Sequence, residues 1–141
     1  MILRDALPDD AVVIAAIMAD WLAVTPWIPK LHTSEATMQF ARDLVAAQTV
    51  RMAEVAEGVG FLARDSGEVN ALFVAQAVRG RGIGRALIEE AKATGPLALW
   101  TFQANPAAQR FYRRAGLREV GRTDGAGNFE KLPDVRMEWA P

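Results

Sequence analysis

The stretch VRGRGIGRALIEEA, residues 78–91, places three glycines at alternate positions among arginines and leads directly into an apolar, helix-like run. The N-terminus of a helix presents backbone N–H groups without intrahelical partners, together with a partial positive charge. Glycine allows the backbone to approach a ligand closely and tolerates positive φ, and arginine adds forked donors that suit phosphate. The stretch therefore predicts a cradle for a pyrophosphate at residues 79–85.

Two common phosphate-binding loops do not fit this stretch. The nucleoside-triphosphate loop requires a lysine after its last glycine, and none follows here. The dinucleotide fingerprint requires a third glycine where this chain has Leu87, and the stretch follows the fourth predicted strand rather than the first. The pattern that fits is R-x-x-G-x-G, formed by Arg79, Gly82 and Gly84.

The rest of the sequence predicts strands and helices. Short apolar runs bounded by turn residues predict strands, and apolar residues at helical spacing predict helices. The predicted strands are residues 2–6, 50–55, 59–64, 68–74, 97–102, 117–122 and 135–140. The predicted helices begin at Pro8, at Thr33 or Ser34, at the glycine stretch and at Pro106. Turn signals predict an antiparallel meander of strands two to four, and the strand–helix–strand order that follows predicts a right-handed parallel crossover.

A second motif, NPAAQRFYRRAGL at residues 105–117, has the signals of one compact helix. Asn105 is suited to cap it, Pro106 occupies its first position and Gly116 ends it. Arg113 and Arg114 fall in its last turn, where the helix dipole favours cations.

Together the two motifs resemble the GNAT superfamily of acyl-CoA-dependent N-acetyltransferases. The first is similar to the pyrophosphate loop of that family. The second is similar to its N-x-x-A-x-x-F/Y-Y-x-x-x-G-F motif, with Leu117 in place of the usual aromatic residue. A further departure is Ala75-Gln76-Ala77, where the family often has a proline.

The resemblance implies a mixed α/β GNAT fold, with residues 1–141 as a single domain. The sheet would be mostly antiparallel, with about seven strands and four helices, and strands four and five would be parallel and splayed around the cofactor. Acetyl-CoA would be the co-substrate, and a primary amine would attack its thioester directly in a ternary complex. The alternative is an acyl-CoA-binding module of the same fold without turnover. The sequence specifies neither the acceptor nor the choice between a monomer and a homodimer.

The resemblance also gives three residues candidate catalytic roles. The Val74 backbone N–H would donate to the thioester oxyanion, and the Tyr112 hydroxyl, with an ordinary pKa of about 10, would protonate the leaving thiolate. Glu68 begins strand four six residues before Val74, so a period of two places both on one face, and Glu68 would be the general base. Each residue has a structural alternative: an ordinary sheet amide, a core aromatic and a turn residue, respectively.

Binding candidates follow from the same resemblance. The cofactor set comprises Phe73, Val74, Arg79, Gly80, Arg81, Gly82, Ile83, Gly84, Arg85, Asn105, Ala108 and Tyr112. The acceptor site would be walled by Trp27, His32 and Glu130. The alternative for the arginines is a solvated surface, and the alternative for Asn105 is a helix cap alone. His32 is a second candidate base, with a structural role as its alternative.

Composition excludes several classes of protein. The chain has no cysteine and one histidine, so disulfides, thiolate metal sites and multi-histidine metal sites are excluded, and no metal is expected. The apolar run at residues 11–19 is too short to cross a bilayer, and the charges near the N-terminus do not suit a signal peptide. The net charge of −1 argues against binding to duplex nucleic acid. We therefore expect a cytoplasmic protein without a membrane or nucleic-acid partner.

Overall fold

The computed structural model, which describes residues 1–141, contains seven strands and four α-helices. The strands are β1 (Ile2–Asp5), β2 (Thr49–Val55), β3 (Gly58–Asp65), β4 (Glu68–Val74), β5 (Leu97–Phe102), β6 (Arg118–Thr123) and β7 (Asp134–Trp139). The α-helices are α1 (Ala11–Ala23), α2 (Ser34–Ala47), α3 (Ile83–Lys92) and α4 (Pro106–Arg114). The number and order of elements expected from the sequence are confirmed.

All seven strands pair into one mixed sheet in the order β1-β2-β3-β4-β5-β7-β6. Strands β2, β3 and β4 form the expected antiparallel meander. Strands β4 and β5 are parallel, with α3 in the connection between them. Every other neighbouring pair is antiparallel, so the sheet has a single parallel junction near its middle.

Helices cover the two faces of the sheet unequally. On one face, α3 and the end of α4 join the central strands in one core cluster. On the other face, α1 and α2 pack on buried residues that come from β2, β3 and β4. The half formed by β5, β7 and β6 is uncovered on that second face, where Trp100 is 48% exposed. The longest helix, α2, has 14 residues, too few to span a bilayer.

A β-bulge interrupts β4. Ala63 of β3 pairs with Ala71, but the next residue, Arg64, pairs with Val69, so Asn70 is an extra residue in β4. An extra residue shifts the alternation of side chains by one position. Glu68 therefore lies on the face opposite to Val74, and the prediction that the two share a face is wrong.

Local sequence signals explain where two helices begin. Thr33 Oγ1 accepts a hydrogen bond from the Ala36 N–H at 3.0 Å, and Asn105 Oδ1 accepts one from the Ala108 N–H at 3.1 Å. Each side chain thereby satisfies a backbone donor that has no partner within its helix. Asn105 is confirmed as the cap of α4, and of the two residues predicted for the start of α2, Thr33 is the cap and Ser34 the first helical residue.

Gln109 is a buried polar residue of α4, 7% exposed. Its Nε2 donates to the carbonyl oxygens of Phe102, Gln103 and Asn105 at 3.1, 3.0 and 3.3 Å. One amide group thus holds the end of β5 and the cap of α4. Gln109 therefore fixes the way in which α4 leaves the sheet.

Replacing Gln109 with leucine keeps a similar volume and removes these hydrogen bonds. Because the carbonyl groups lose a buried donor, we expect the free energy of unfolding in urea to fall by about 1–3 kcal/mol. The matched control is Gln39→Leu, since Gln39 is exposed on α2 and bonds to Asp43 alone. Equal losses in the two variants, or no loss in Gln109→Leu, would contradict this role.

Candidate functional site

The parallel junction of the sheet opens into a cleft. The ladder between β4 and β5 contains one residue pair, Glu68 with Ala98, and the Ala98 N–H donates to the Gly67 carbonyl oxygen at 2.9 Å. The two strands are therefore joined at their N-terminal ends and separate toward Val74 and Phe102. The glycine loop and α3 follow one strand of this opening, and α4 follows the other.

The Val74 backbone N–H faces this opening. Val74 pairs with Gly60 of β3, and the neighbouring Ala75 N–H donates to the Val59 carbonyl oxygen at 2.9 Å. Along a strand of an antiparallel pair, successive backbone N–H groups point alternately toward the partner strand and away from it. Because the Ala75 N–H points toward β3, the Val74 N–H points away from β3 and toward β5. Because β5 has already separated there, this donor has no strand opposite it. Its position suits the oxyanion role expected from the sequence.

The glycine loop presents a run of unpaired backbone donors. None of the six N–H groups from Gly80 to Arg85 donates to a backbone carbonyl, and the first helical bond is from the Ala86 N–H to the Gly82 carbonyl oxygen. Gly80 and Gly82 have φ angles of 78° and 80°, which favour glycine. The run of free donors at the start of α3 fits a bound anion.

The third glycine of the motif serves a different need. Gly84 has no positive φ, but a Cβ atom added to it would lie 3.2 Å from Cζ of Phe111. Gly84 therefore lets the first turn of α3 approach α4 closely. The conformational argument for glycine applies to Gly80 and Gly82, and close packing explains Gly84.

The three arginines of the loop have different surroundings. Arg81 forms an ion pair with Glu57 at 2.8 Å, and Arg79 Nε donates to the Val74 carbonyl oxygen at 3.4 Å. The exposed Arg85 has neither an ion pair nor a hydrogen bond within the protein. Arg79 therefore links the loop to the end of β4, while Arg85 is available to a ligand.

Tyr112 lies beside the cleft on α4. Its ring is 5.3 Å from that of Phe111, centroid to centroid, and packs against the core cluster beneath α3. Burial raises the pKa of Tyr112 to about 12, above its ordinary value of about 10. The Tyr112 hydroxyl has no hydrogen-bond partner in the protein. Every fully buried polar side-chain atom of the chain does have a partner, so the hydroxyl oxygen must retain some exposed surface. Tyr112 can therefore donate a hydrogen bond at any pH at which the protein would work.

The structure does not bring Glu68 to the other catalytic candidates. Glu68 lies at the closed end of the junction, about 20 Å of strand from Val74. Both of its carboxylate oxygens accept bonds from the Arg136 guanidinium of β7, at 2.7 and 2.8 Å. These bonds raise the pKa of Arg136. The pair reaches across β5 and ties β4 to β7.

An aromatic wall lines the opening on the α1 and α2 side. Trp27 lies 5.7 Å from Phe102 and 5.9 Å from Trp21, and Trp21 lies 5.5 Å from Phe73, between ring centroids. The predicted acceptor residue Trp27 is part of this wall, next to the cleft. Trp21 and Phe102 were not predicted, because helical and strand periodicity alone assigns both to the core.

The two loops that flank this wall touch each other. His32, in the α1–α2 loop, lies 5.3 Å from Phe129, in the β6–β7 loop, between ring centroids. Glu130 follows Phe129 and is half-buried. The structure thus places two predicted acceptor residues, His32 and Glu130, on loops that meet beside the aromatic wall. Nowhere in the chain do three or more histidine or acidic side chains converge as metal ligands.

Comparison with known proteins identifies the family. A sequence model described as "Acetyltransferase (GNAT) domain" matches residues 42–119. The chain is 36% identical over 69 residues to peptidyl-lysine N-acetyltransferase YjaB of Salmonella typhimurium, a match that covers 48% of each protein. The chain thus spans about half the length of the curated relatives it matches.

Solved structures share the fold over the whole chain. The apo form of YjaB from Escherichia coli matches with a TM-score of 0.81 and 21% identity, covering 99% of this chain and 98% of that one. The structure of yncA from Salmonella typhimurium with its cofactor acetyl-CoA has a TM-score of 0.72 and 19% identity, covering 99% and 93%. At these identities the likeness shows the fold alone, which is the expected GNAT fold.

The environment of Tyr112 can be measured directly. It is the only tyrosine, so the ultraviolet absorbance of phenolate reports its ionisation alone. After rapid pH jumps we expect the native protein to titrate near a pKa of about 12, and the unfolded chain near about 10. Because the unfolded chain loses this proton first, stability falls as the pH rises from about 10 toward 12. A native midpoint equal to that of the unfolded chain would show that the ring is not buried.

Proposed function

This chain belongs to the family of GNAT acetyltransferases, and from that premise we propose that it transfers the acetyl group of acetyl-CoA to a primary amine, namely the ε-amine of a peptidyl lysine. The observation that carries the proposal is the run of six unpaired N–H groups from Gly80 to Arg85 at the mouth of the cleft. This run fits a pyrophosphate, and the cleft beyond it leads to the unpaired N–H of Val74.

The choice of acceptor rests on two observations. The curated relatives bear the name peptidyl-lysine N-acetyltransferase. In this chain, the wall formed by Trp21, Trp27, Phe73 and Phe102 borders the cleft. Aromatic faces suit both the apolar stem of lysine and its cationic head. Phe73 precedes Val74, so the wall ends beside the proposed oxyanion donor.

The chain's own groups divide the work as follows. Acetyl-CoA supplies the acetyl group as a thioester, whose carbonyl carbon forms a bond to the amine nitrogen as the C–S bond breaks. The Val74 N–H donates to the carbonyl oxygen as negative charge develops there. The N–H groups from Gly80 to Arg85 hold the pyrophosphate, and Asn105 supports the start of α4 on the other side of the cleft.

Tyr112 holds a proton at its hydroxyl and donates a hydrogen bond to the departing sulfur. Its pKa of about 12 exceeds that of a free thiol, about 8.5, so complete transfer of the proton to the thiolate is unfavourable. The raised pKa keeps the hydroxyl protonated at neutral and moderately alkaline pH. Tyr112 therefore assists the leaving group as a hydrogen-bond donor.

Glu68 has no place in this mechanism. It is held by Arg136 at the closed end of the junction, and a base must lie within hydrogen-bond reach of the proton it removes. We assign Glu68 to the link between β4 and β7. The amine loses its proton to water at the open end of the cleft.

The proposal is tested by combining a binding and a turnover measurement. At 100 times its dissociation constant, CoA should stabilise the protein by about 2.7 kcal/mol, which raises the melting temperature by roughly 5–10 °C, whereas adenosine should not. With acetyl-CoA, a lysine peptide should release thiol and gain one acetyl group by mass spectrometry, and the same peptide with blocked amines should not. Stabilisation without turnover on any amine would favour the binding module, and no stabilisation by CoA would refute the proposal.

Two variants test the assignment of Tyr112 as a donor to the leaving sulfur and of Glu68 as a structural residue. They are Tyr112→Phe and Glu68→Gln. Removing the Tyr112 hydroxyl keeps the ring and should lower kcat by about 10²-fold, as expected for the loss of one hydrogen-bond donor to a developing negative charge. CoA affinity should change little, and high pH should not rescue the variant. Glu68→Gln should keep the wild-type kcat and its pH profile, because the residue is remote from the reacting atoms. A large loss of kcat in Glu68→Gln that rising pH rescues would restore Glu68 as the base.

A further inference from the structure

The net charge of −1 conceals a strong separation of charge along the chain. Residues 79–118 contain eight lysines and arginines against two glutamates, whereas the rest of the chain contains eight basic against fifteen acidic residues. The basic segment comprises the glycine loop, α3, β5 and α4. Positive charge is thus concentrated on the helices that border the cleft.

Six of the seven arginines in this segment have no ion pair, and Arg81, which pairs with Glu57, is the seventh. Most arginines elsewhere in the chain are paired, as Arg51 is with Glu90 and Arg136 is with Glu68. Of the six, Arg79 donates only to the Val74 carbonyl oxygen. The other five, each exposed and without an ion pair or hydrogen bond, are Arg85 on α3, Arg110, Arg113 and Arg114 on α4, and Arg118 at the start of β6.

The three arginines of α4 share one exposed face. Arg110, Arg113 and Arg114 stand at positions i, i+3 and i+4, where like charges repel each other. The helix dipole favours Arg113 and Arg114 in the last turn, but it does not account for Arg110. Such a face is suited to an anion that neutralises it.

A contact at the start of α3 places this face beside the pyrophosphate cradle. The first turn of α3 touches the middle of α4, where Gly84 meets the ring of Phe111. At the other end of α3, Lys92 Nζ donates to the Ala115 carbonyl oxygen. The two helices therefore run side by side. Arg110 and Arg114 flank Phe111 along α4, and Arg85 follows Gly84 on α3.

We infer that Arg85, Arg110 and Arg114 bind the 3′-phosphate on the ribose of coenzyme A. The inference rests on the proposed function, since it requires the pyrophosphate to occupy the N–H groups at Gly80 to Arg85. The 3′-phosphate is a monoester that carries up to two negative charges near pH 7, and it is one sugar away from the pyrophosphate. Arginine forks suit such a group. These residues make the protein selective for CoA over its 3′-dephospho form.

The test compares the binding of CoA and dephospho-CoA to the full-length protein by calorimetry. The wild type should bind CoA at least about tenfold more tightly, and Arg110→Gln and Arg114→Gln, made singly, should each reduce that preference by about three- to tenfold. An unchanged preference in both variants would overturn the inference. Dephospho-CoA should bind the wild type and both variants with equal affinity. The matched control is Arg42→Gln, which removes an exposed, unpaired arginine from α2 on the opposite face of the sheet and should leave the preference unchanged.

The outcomes separate this inference from the proposed function. Equal affinities of the wild type for CoA and dephospho-CoA would overturn the inference and leave the cofactor site intact. A loss in Arg114→Gln that is the same for both ligands, or the same in Arg42→Gln, would indicate general attraction of anions and would also overturn it. Absence of binding to either ligand would refute the proposed function, and the inference with it.

Discussion

The site depends on the unequal pairing of β4 with the two strands beside it. Along its length β4 is hydrogen-bonded to β3, but it is joined to β5 through one residue pair at its start. An unpaired backbone N–H is costly when buried, so a strand end can lack a partner only where a solvent or ligand molecule can reach it. The separation of β4 from β5 meets this condition at Val74. The bond from Ala98 to Gly67 and the pair of Glu68 with Arg136 keep the other end closed.

The two faces of the sheet bring different chemistry to this opening. Successive residues of a strand point to opposite faces, so Phe73 joins the aromatic wall on the α1 and α2 side, while Val74 packs against the cluster that contains α3. Positive charge and free N–H groups belong to the α3 and α4 side. Under the proposed function, the anionic cofactor and the amine therefore approach from different sides and meet at Val74, where the reacting atoms must lie.

Periodicity and capping signals were sufficient to predict the helices and strands and their order, whereas the arrangement of the whole sheet was predicted from the resemblance to the GNAT family. Caps such as Thr33 and Asn105 are local, and each needs only a few neighbouring residues to form. The bulge at Asn70 was not predictable, because the alternation of side chains in the sequence does not show where a strand contains an extra residue. Glu68 was misplaced for that reason, and also because its partner Arg136 is 68 residues away. The aromatic wall was not predictable either, because its rings come from separate helices, strands and loops that only the folded chain brings together.

The separation of charge shows why the net charge is a poor guide to the ligands of a small domain. Beyond a Debye length, about 10 Å at 0.1 M salt, exposed charges are largely screened from one another. A phosphate at the mouth of the cleft therefore interacts with Arg85, Arg110 and Arg114, and only weakly with the acidic residues on the far side of the sheet. A long duplex, in contrast, extends well beyond the reach of these three arginines, and its phosphates outside this patch gain no positive partner there. A chain with a net charge of −1 can therefore bind a small anion at a local basic patch while it disfavours an extended polyanion. The size of the anion decides whether the local charge or the total charge controls binding.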